Sequence, residues 1–243
     1  MVVMAGFVAS GQLEAHEQVI PEFEAAYRVR ASVASGELSM SLAADADGRY
    51  LFRTVTRPRG LVRVFARGEI DEQSHILFRD GTVIPLDYTL RDTISKNHDA
   101  NYEYDWAANA VTGIERGEAV SGELQPGMLN RAALYVALMQ DLSYGSLPEG
   151  YTLFDRGRVK SFDIENLGVE TIEVPLGRFE VVKLVRDSDD SRRSMFLWCA
   201  PKLNYLPVRI DLYKEDRRIS RAELRAVTGL PAASAPAPGN TED

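Results

Sequence analysis

The sequence predicts a mainly β protein: an antiparallel meander curling into a barrel-like or half-barrel sheet, with one buried helix near residues 130–144. Three observations predict it. Apolar residues recur with a period of two over most of the chain, the spacing of strands that turn one face to a core. Asp-Gly and other glycine-containing turns separate these runs at hairpin distances. A single stretch of strong helix formers interrupts the rhythm.

From Pro21 onward Phe23, Ala25, Tyr27 and Val29 alternate with Glu22, Glu24, Arg28 and Arg30, as a half-buried strand requires. Leu38, Met40 and Leu42 alternate with Glu37, Ser39 and Ser41, Asp45 to Gly48 turns the chain, and Tyr50 to Val55 returns. Glu69 to Phe78 and Val83 to Leu90 form the next pair around Asp80-Gly81. Tyr102, Tyr104 and Trp106 alternate with Asn101, Glu103 and Asp105, so one aromatic face meets the core. The segment from Asp105 to Glu118 reads as a further hairpin turning through Ala107-Ala108-Asn109.

The helical stretch runs from Asn130, a suitable N-cap, to Gly145, a suitable stop. It is apolar around most of its circumference, which implies burial, either plugging a barrel end or lying between sheet edges. Five strands are expected afterwards: Tyr151 to Lys160, Glu170 to Val174, Arg178 to Arg186, Arg193 to Cys199 and Pro207 to Tyr213. Pro175-Leu176-Gly177 and Asp187 to Ser191 supply turns, and Arg218 to Val227 supplies a last strand. No composition break marks a boundary, so residues 16–229 read as one β domain. The Ala-, Pro- and Ser-rich residues 230–243 read as a disordered tail.

Residues 1–15 read as a truncated secretory segment: Met1 to Ala9 is apolar and small residues suited to cleavage follow, although a basic start is missing. A buried or frayed N-terminal strand is the alternative. The apolar run is too short to span a bilayer as a helix. With 28 basic against 36 acidic residues the formal charge is −8, which repels phosphate backbones, and no lysine-rich run reverses it locally. Nucleic acid is therefore not an expected partner. The one cysteine, Cys199, lies in an apolar strand and reads as a buried, inert thiol.

Asp155-Arg156-Gly157-Arg158-Val159-Lys160, Val169 to Phe179 with its Pro175-Leu176-Gly177, Phe196 to Pro201 and Asn204 to Ile210 form a connected pattern. Together with Phe23 to Tyr27 and Pro58-Arg59-Gly60-Leu61, it resembles the proteobacterial family known as domain of unknown function 3108, over residues 21 to 228. The resemblance implies an exported, periplasmic envelope protein with a β meander curling toward a barrel. Some members carry lipoprotein signals, and this chain has no N-terminal cysteine to match them. The family supplies no catalytic residue to carry over.

The search for chemistry is short. His16, His75 and His98 fall in separate segments without metal-ligand spacing, and Asp45 to Gly48 lacks the further acidic positions of a calcium loop, so no metal or other cofactor is expected. No nucleophile elbow or phosphate loop is present. Glu103 and Asp105, two apart on one strand, are the one carboxylate pair that could serve as acid and base, against the simpler reading of a solvated face. Asp155 with Arg156 and Arg158 reads as a surface ion-pair stripe. Binding suits the fold better: Tyr102, Tyr104, Trp106, Phe196 and Trp198 would line, or simply fill, a helix-capped barrel. Three functions follow in order. The first is non-enzymatic binding of a lipid-like or glycan ligand or a protein partner. The second is a glycan hydrolase using paired carboxylates, and the third an assembly factor acting by β-strand addition.

Overall fold

A computed structural model describes residues 20–31, 35–59, 68–94, 98–188 and 193–230. The expected signal segment, His16, most of the expected tail and part of the Asp187–Ser191 turn lie outside the described residues. Nine strands come first: β1 (Phe23–Ala31), β2 (Ser35–Ala44), β3 (Tyr50–Arg59), β4 (Ile70–Arg79), β5 (Thr82–Pro85), β6 (Asp87–Asp92), β7 (Ala100–Asp105), β8 (Ala110–Glu115) and β9 (Glu118–Glu123). The helix α1 (Ala133–Tyr144) follows. Then come β10 (Gly150–Asp155), β11 (Arg158–Val174), β12 (Gly177–Ser188), β13 (Arg193–Ala200), β14 (Leu206–Lys214) and β15 (Arg217–Thr228).

Nearly every strand pairs antiparallel with its neighbours in sequence, because short turns leave adjacent strands side by side. The last strand then pairs with the first, β15 against β1, which curls the meander into a nearly closed barrel. Its seam falls in mid-chain, between β9 and β10, which do not pair with each other. The connection from residue 124 to 149, with α1 in it, spans that seam. Part of the open edge of β10 is satisfied on the way: the Leu129 N–H donates to Thr152 O and the Phe154 N–H donates to Leu129 O, both at 2.9 Å.

Two expected strands are broken by turns that the apolar pattern hides. Tyr151 to Lys160 is a hairpin rather than one strand, because Arg156 (φ 54°) and Gly157 (φ 69°) both take the left-handed conformation of a tight turn between β10 and β11. Val83 to Leu90 is interrupted at Leu86, so β4 carries β5 and β6 end to end: Ile76–Arg79 pair with β5, and Ile70–Gln73 with β6. The five-residue strand expected from Glu170 is the end of a 17-residue β11 with an irregularity between Asn166 and Val169. β9 was not expected as a strand of its own; its Ala, Ser and Gly residues carry a weak apolar signal.

The helix behaves as its sequence foretells. Asn130 Oδ1 accepts the Ala133 N–H at 2.8 Å, satisfying an orphan donor of the first turn. At the other end Gly145 is left-handed (φ 67°), and Ser146 N–H reaches back to Asp141 O at 2.9 Å. Eight of the twelve helical residues are buried. Tyr135 stacks on Phe52 of β3 with ring centroids 6.1 Å apart, so α1 fills the barrel interior rather than lying on its surface.

Candidate functional site

The interruption at Leu86 falls at a broad depression of the outer face. Ile76 of β4 is fully buried, so Leu77 and Arg79 point to the outer face, where Ile84 of β5 lies beside Leu77. Glu103 and Asp105 leave β7 on its exposed side. Together with Leu86, Asp87, Arg49, Tyr104 and Trp106 they line an open groove of about 680 Å³, within the usual range for a small-ligand site. Trp106 is anchored: its indole N–H donates to Pro85 O at 2.8 Å and its ring stacks on Tyr104 at 6.5 Å.

The charges around the groove are mostly spoken for. Asp87 accepts the His75 backbone N–H at 2.8 Å and faces His75 Nδ1 at 2.6 Å. Asp105 accepts the Ala108 N–H at 2.8 Å and so stabilises the β7–β8 turn. Arg49 pairs with Asp45 at 3.3 Å. Among the described residues Arg79 and Glu103 are left without an ion pair, which gives the groove one free cation, one free carboxylate and an oriented indole over an apolar floor.

A second, narrower cleft of about 70 Å³ runs between α1 and the inner face of the sheet. Leu134 and Leu138 form the helix side; Phe162, Ile164, Met195 and Leu197 form the sheet side. Three charged groups enter it. Glu72 of β4 accepts the Tyr88 hydroxyl at 2.7 Å and pairs with Arg131 at 3.2 Å, and that carboxylate raises the Arg131 pKa. Arg186 lies over the Phe162 ring at 4.1 Å. Among the described residues it makes no ion pair; burial lowers its pKa and outweighs the opposing effect of Tyr135 and of the Asp155 carboxylate, with Arg131 adding repulsion. Nearby, Asn130 Nδ2 donates to Ser74 Oγ at 2.9 Å and to Asp87 O at 3.1 Å, tying the helix start to the sheet.

The sequence-derived binding residues divide into three places. Tyr104 and Trp106 line the outer groove. Tyr102 is buried beside Tyr88 and Phe154, with its hydroxyl donating to Glu115. Phe196 and Trp198 turn to the face of β13 opposite Leu197, where Lys183 sits over both rings and Arg209 over Trp198. They do not share a cavity with the tyrosines. A strand with two apolar faces gives no sign of which face is inner, so the sequence alone does not show that these aromatics separate. Arg79, Arg131 and Arg186 were not singled out, since a lone arginine on an alternating strand looks like solvated surface.

His75 and His98 each rest against an aspartate, and no group of three or more His, Cys, Asp or Glu able to hold a metal occurs among the described residues. The Cys199 thiol is fully buried, and burial pushes its pKa up, as an inert thiol requires. Asp155 pairs with Lys160 at 2.6 Å rather than with its arginine neighbours. No helix among the described residues is long and apolar enough to cross a membrane.

The profile of a family of proteins of unknown function, DUF3108, matches residues 22–216. The chain belongs to the DUF3108 family. The DUF3108 chain also resembles a solved β-barrel-like protein of another domain of unknown function, DUF1849, from Brucella abortus. The identity is 13%, the likeness covers 86% of this chain and 98% of the other, and the TM-score is 0.54, which establishes a shared fold. A complex of MucA and MucB from Pseudomonas aeruginosa aligns at 12% identity over 88% of this chain and 54% of that one, with a TM-score of 0.40. A candidate lipoprotein from Parabacteroides distasonis aligns at 12% identity over 85% and 95%, with a TM-score of 0.35. No curated protein matches the DUF3108 chain.

Proposed function

We propose that this DUF3108 protein is an exported, non-enzymatic binding protein of the cell envelope that holds a glycan in its outer groove. The observation that carries the reading is the groove itself: about 680 Å³, open along its length, with Trp106 fixed from two sides beside the unpaired Arg79 and Glu103. A sugar ring offers an apolar face for an indole and hydroxyls that both donate and accept, so it uses all three groups. Export is supported by the apolar residues Met1 to Ala9 and the small residues after them.

Binding fits the carboxylates better than cleavage does. Glycoside hydrolysis needs its acid and its base on either side of the scissile bond. Glu103 and Asp105 project side by side from one face of β7, and Asp105 is committed to the Ala108 N–H. A second ligand class is favoured by one observation, the unpaired Arg186 in the apolar inner cleft. A cation at the mouth of an apolar slot suits the anionic end of a lipid-like molecule.

The test is a screen of the full chain on an oligosaccharide array, followed by fluorescence titration of each sugar that binds. The protein has two tryptophans, so a Trp198→Phe background makes Trp106 the reporter. Binding that shifts Trp106 emission and weakens at least tenfold in Glu103→Gln supports the glycan reading. An array without a hit, or a hit indifferent to Glu103→Gln and Trp106→Ala, rejects it.

A further inference from the structure

The acidic net charge hides a strongly cationic face. On the outer side of the strands running from β14 through β15, β1 and β2 to β3, three carboxylates hold seven arginines. Asp211 is shared by Arg209, Arg218 and Arg221. Glu223 is shared by Arg28 and Arg30, and Glu37 by Arg59 and Arg225. This cluster therefore carries four more cations than anions, on a chain whose formal charge is −8. The arginines come from distant parts of the sequence and meet only through the pairing of β1 with β15.

Within this face the distances separate tightly bound guanidiniums from loosely held ones. Arg221 grips Asp211 with two hydrogen bonds, at 2.8 and 2.7 Å. Arg218 stands 3.6 Å from the same carboxylate, and Arg30 stands 3.7 Å from Glu223; neither makes a hydrogen bond. Arg30 also lies directly opposite Arg221 in the strand register, an arrangement of like charges that works against folding. Between Arg30, Arg218 and Arg221 is a depression of about 160 Å³. Two guanidiniums with unused donors and a third beside them form a cradle for a tetrahedral oxyanion.

We propose that this depression binds a phosphate ester group and that the phosphates are those of lipid headgroups, so the face seats the protein on an anionic membrane surface. Two features favour a membrane over a single soluble phosphate. The cations stand on four of five adjacent strands, a span of roughly 20 Å at the usual strand spacing, which matches several headgroups. Tyr213, half-buried, lies on the same outer side against Phe196, and such an amphipathic ring suits the membrane–water interface.

The experiment is flotation of the full chain with phosphatidylcholine vesicles, with and without phosphatidate, at about 0.1 M salt. A parallel melting curve is recorded with inorganic phosphate. The unaltered chain floats with phosphatidate vesicles alone, and binding falls at least tenfold in the double variant Arg30→Ser, Arg218→Ser. That variant keeps its urea midpoint, because neither side chain makes a hydrogen bond and Arg30 opposes Arg221. Equal flotation of variant and parent overturns the site. Stabilisation by inorganic phosphate without flotation overturns the lipid source, as does retention on duplex DNA but not on vesicles.

Discussion

Replacing Arg186 by methionine should stabilise the protein, which makes it a sharp test of the inner cleft. The guanidinium lies over Phe162 beside Arg131, among Leu134, Leu138, Ile164 and Leu197; no carboxylate of the described residues makes an ion pair with it, and the charge of Asp155 offsets its burial only in part. Exchanging buried charge for apolar side chains of similar volume commonly gains about 1–4 kcal/mol, and partial access to water puts Arg186 at the low end. Against this stands the lost cation–π contact, about 0.5–1 kcal/mol at a partly wet site. Methionine keeps the length and apolar stem of the side chain, so packing changes little. The net expectation is a gain of about 1 kcal/mol, or roughly 2–4 °C in Tm for a domain of this size. The assay is urea unfolding followed by circular dichroism, on protein refolded from denaturant so that no carried ligand contributes. A loss of about 1 kcal/mol or more would refute the reasoning, since it would mean that Arg186 is already satisfied in the free protein.

Two further outcomes are expected. Burial raises the pKa of Asp141, in the last turn of α1, while the Tyr151 hydroxyl at 2.7 Å acts in the opposite direction. Between the unfolded and folded values the native chain binds more protons than the unfolded chain, so stability falls as pH rises through that window. Asp141→Asn keeps the tyrosine bond and removes the charge, so its urea midpoint should exceed the parent's at pH 7. The lead should shrink toward pH 4, and a constant lead would contradict the assignment. Asn130→Ala removes the cap on Ala133 and the donor to Ser74 Oγ and Asp87 O, costing about 2–3 kcal/mol in the same unfolding assay. Asn130→Asp, which keeps the cap but not the donor, should recover part of that loss.

The architecture could be read from the sequence because alternation and capping are local signals. Tyr27 and Met40 are buried where period two puts them, the Asn130 side chain accepts the Ala133 N–H at the start of the helix, and Gly145 ends it. The misses have local causes too. Arg156 in a left-handed turn carries no warning in its side chain, and Leu86 interrupts a run that is apolar on both sides. The sites were harder to see, because they depend on which strands meet. Arg30 and Arg221 are directly opposed only since β15 closes on β1. Arg131 and Arg186 meet only because α1 turns back into the barrel. Tyr104 and Trp106 were found by their spacing, but the groove they line depends on Arg79 and Glu103 on different strands.

That closure also bears on whether such a protein could act by accepting a strand from a partner. A meander that joins its last strand to its first must leave its free edges elsewhere, and here they are β9 and β10. Free edges invite another chain unless something guards them. On β10 the backbone of Leu129 takes the hydrogen bonds that a guest strand would need at Thr152 and Phe154. On β9 the guard is side-chain packing: a Cβ added at Gly122 would fall 2.8 Å from the Phe154 ring, and one at Gly157 would fall 2.7 Å from Val120 Cγ1. At these two points the strands pack so closely that a side chain in place of either glycine would push its neighbour aside. Glu118 and Glu123 close the two ends of β9 with charge. Strand addition would have to displace Phe154 from the core and break the Leu129 bonds first. The open groove and the cationic face require no such disruption, and that difference puts binding at preformed outer surfaces ahead of assembly through the edge.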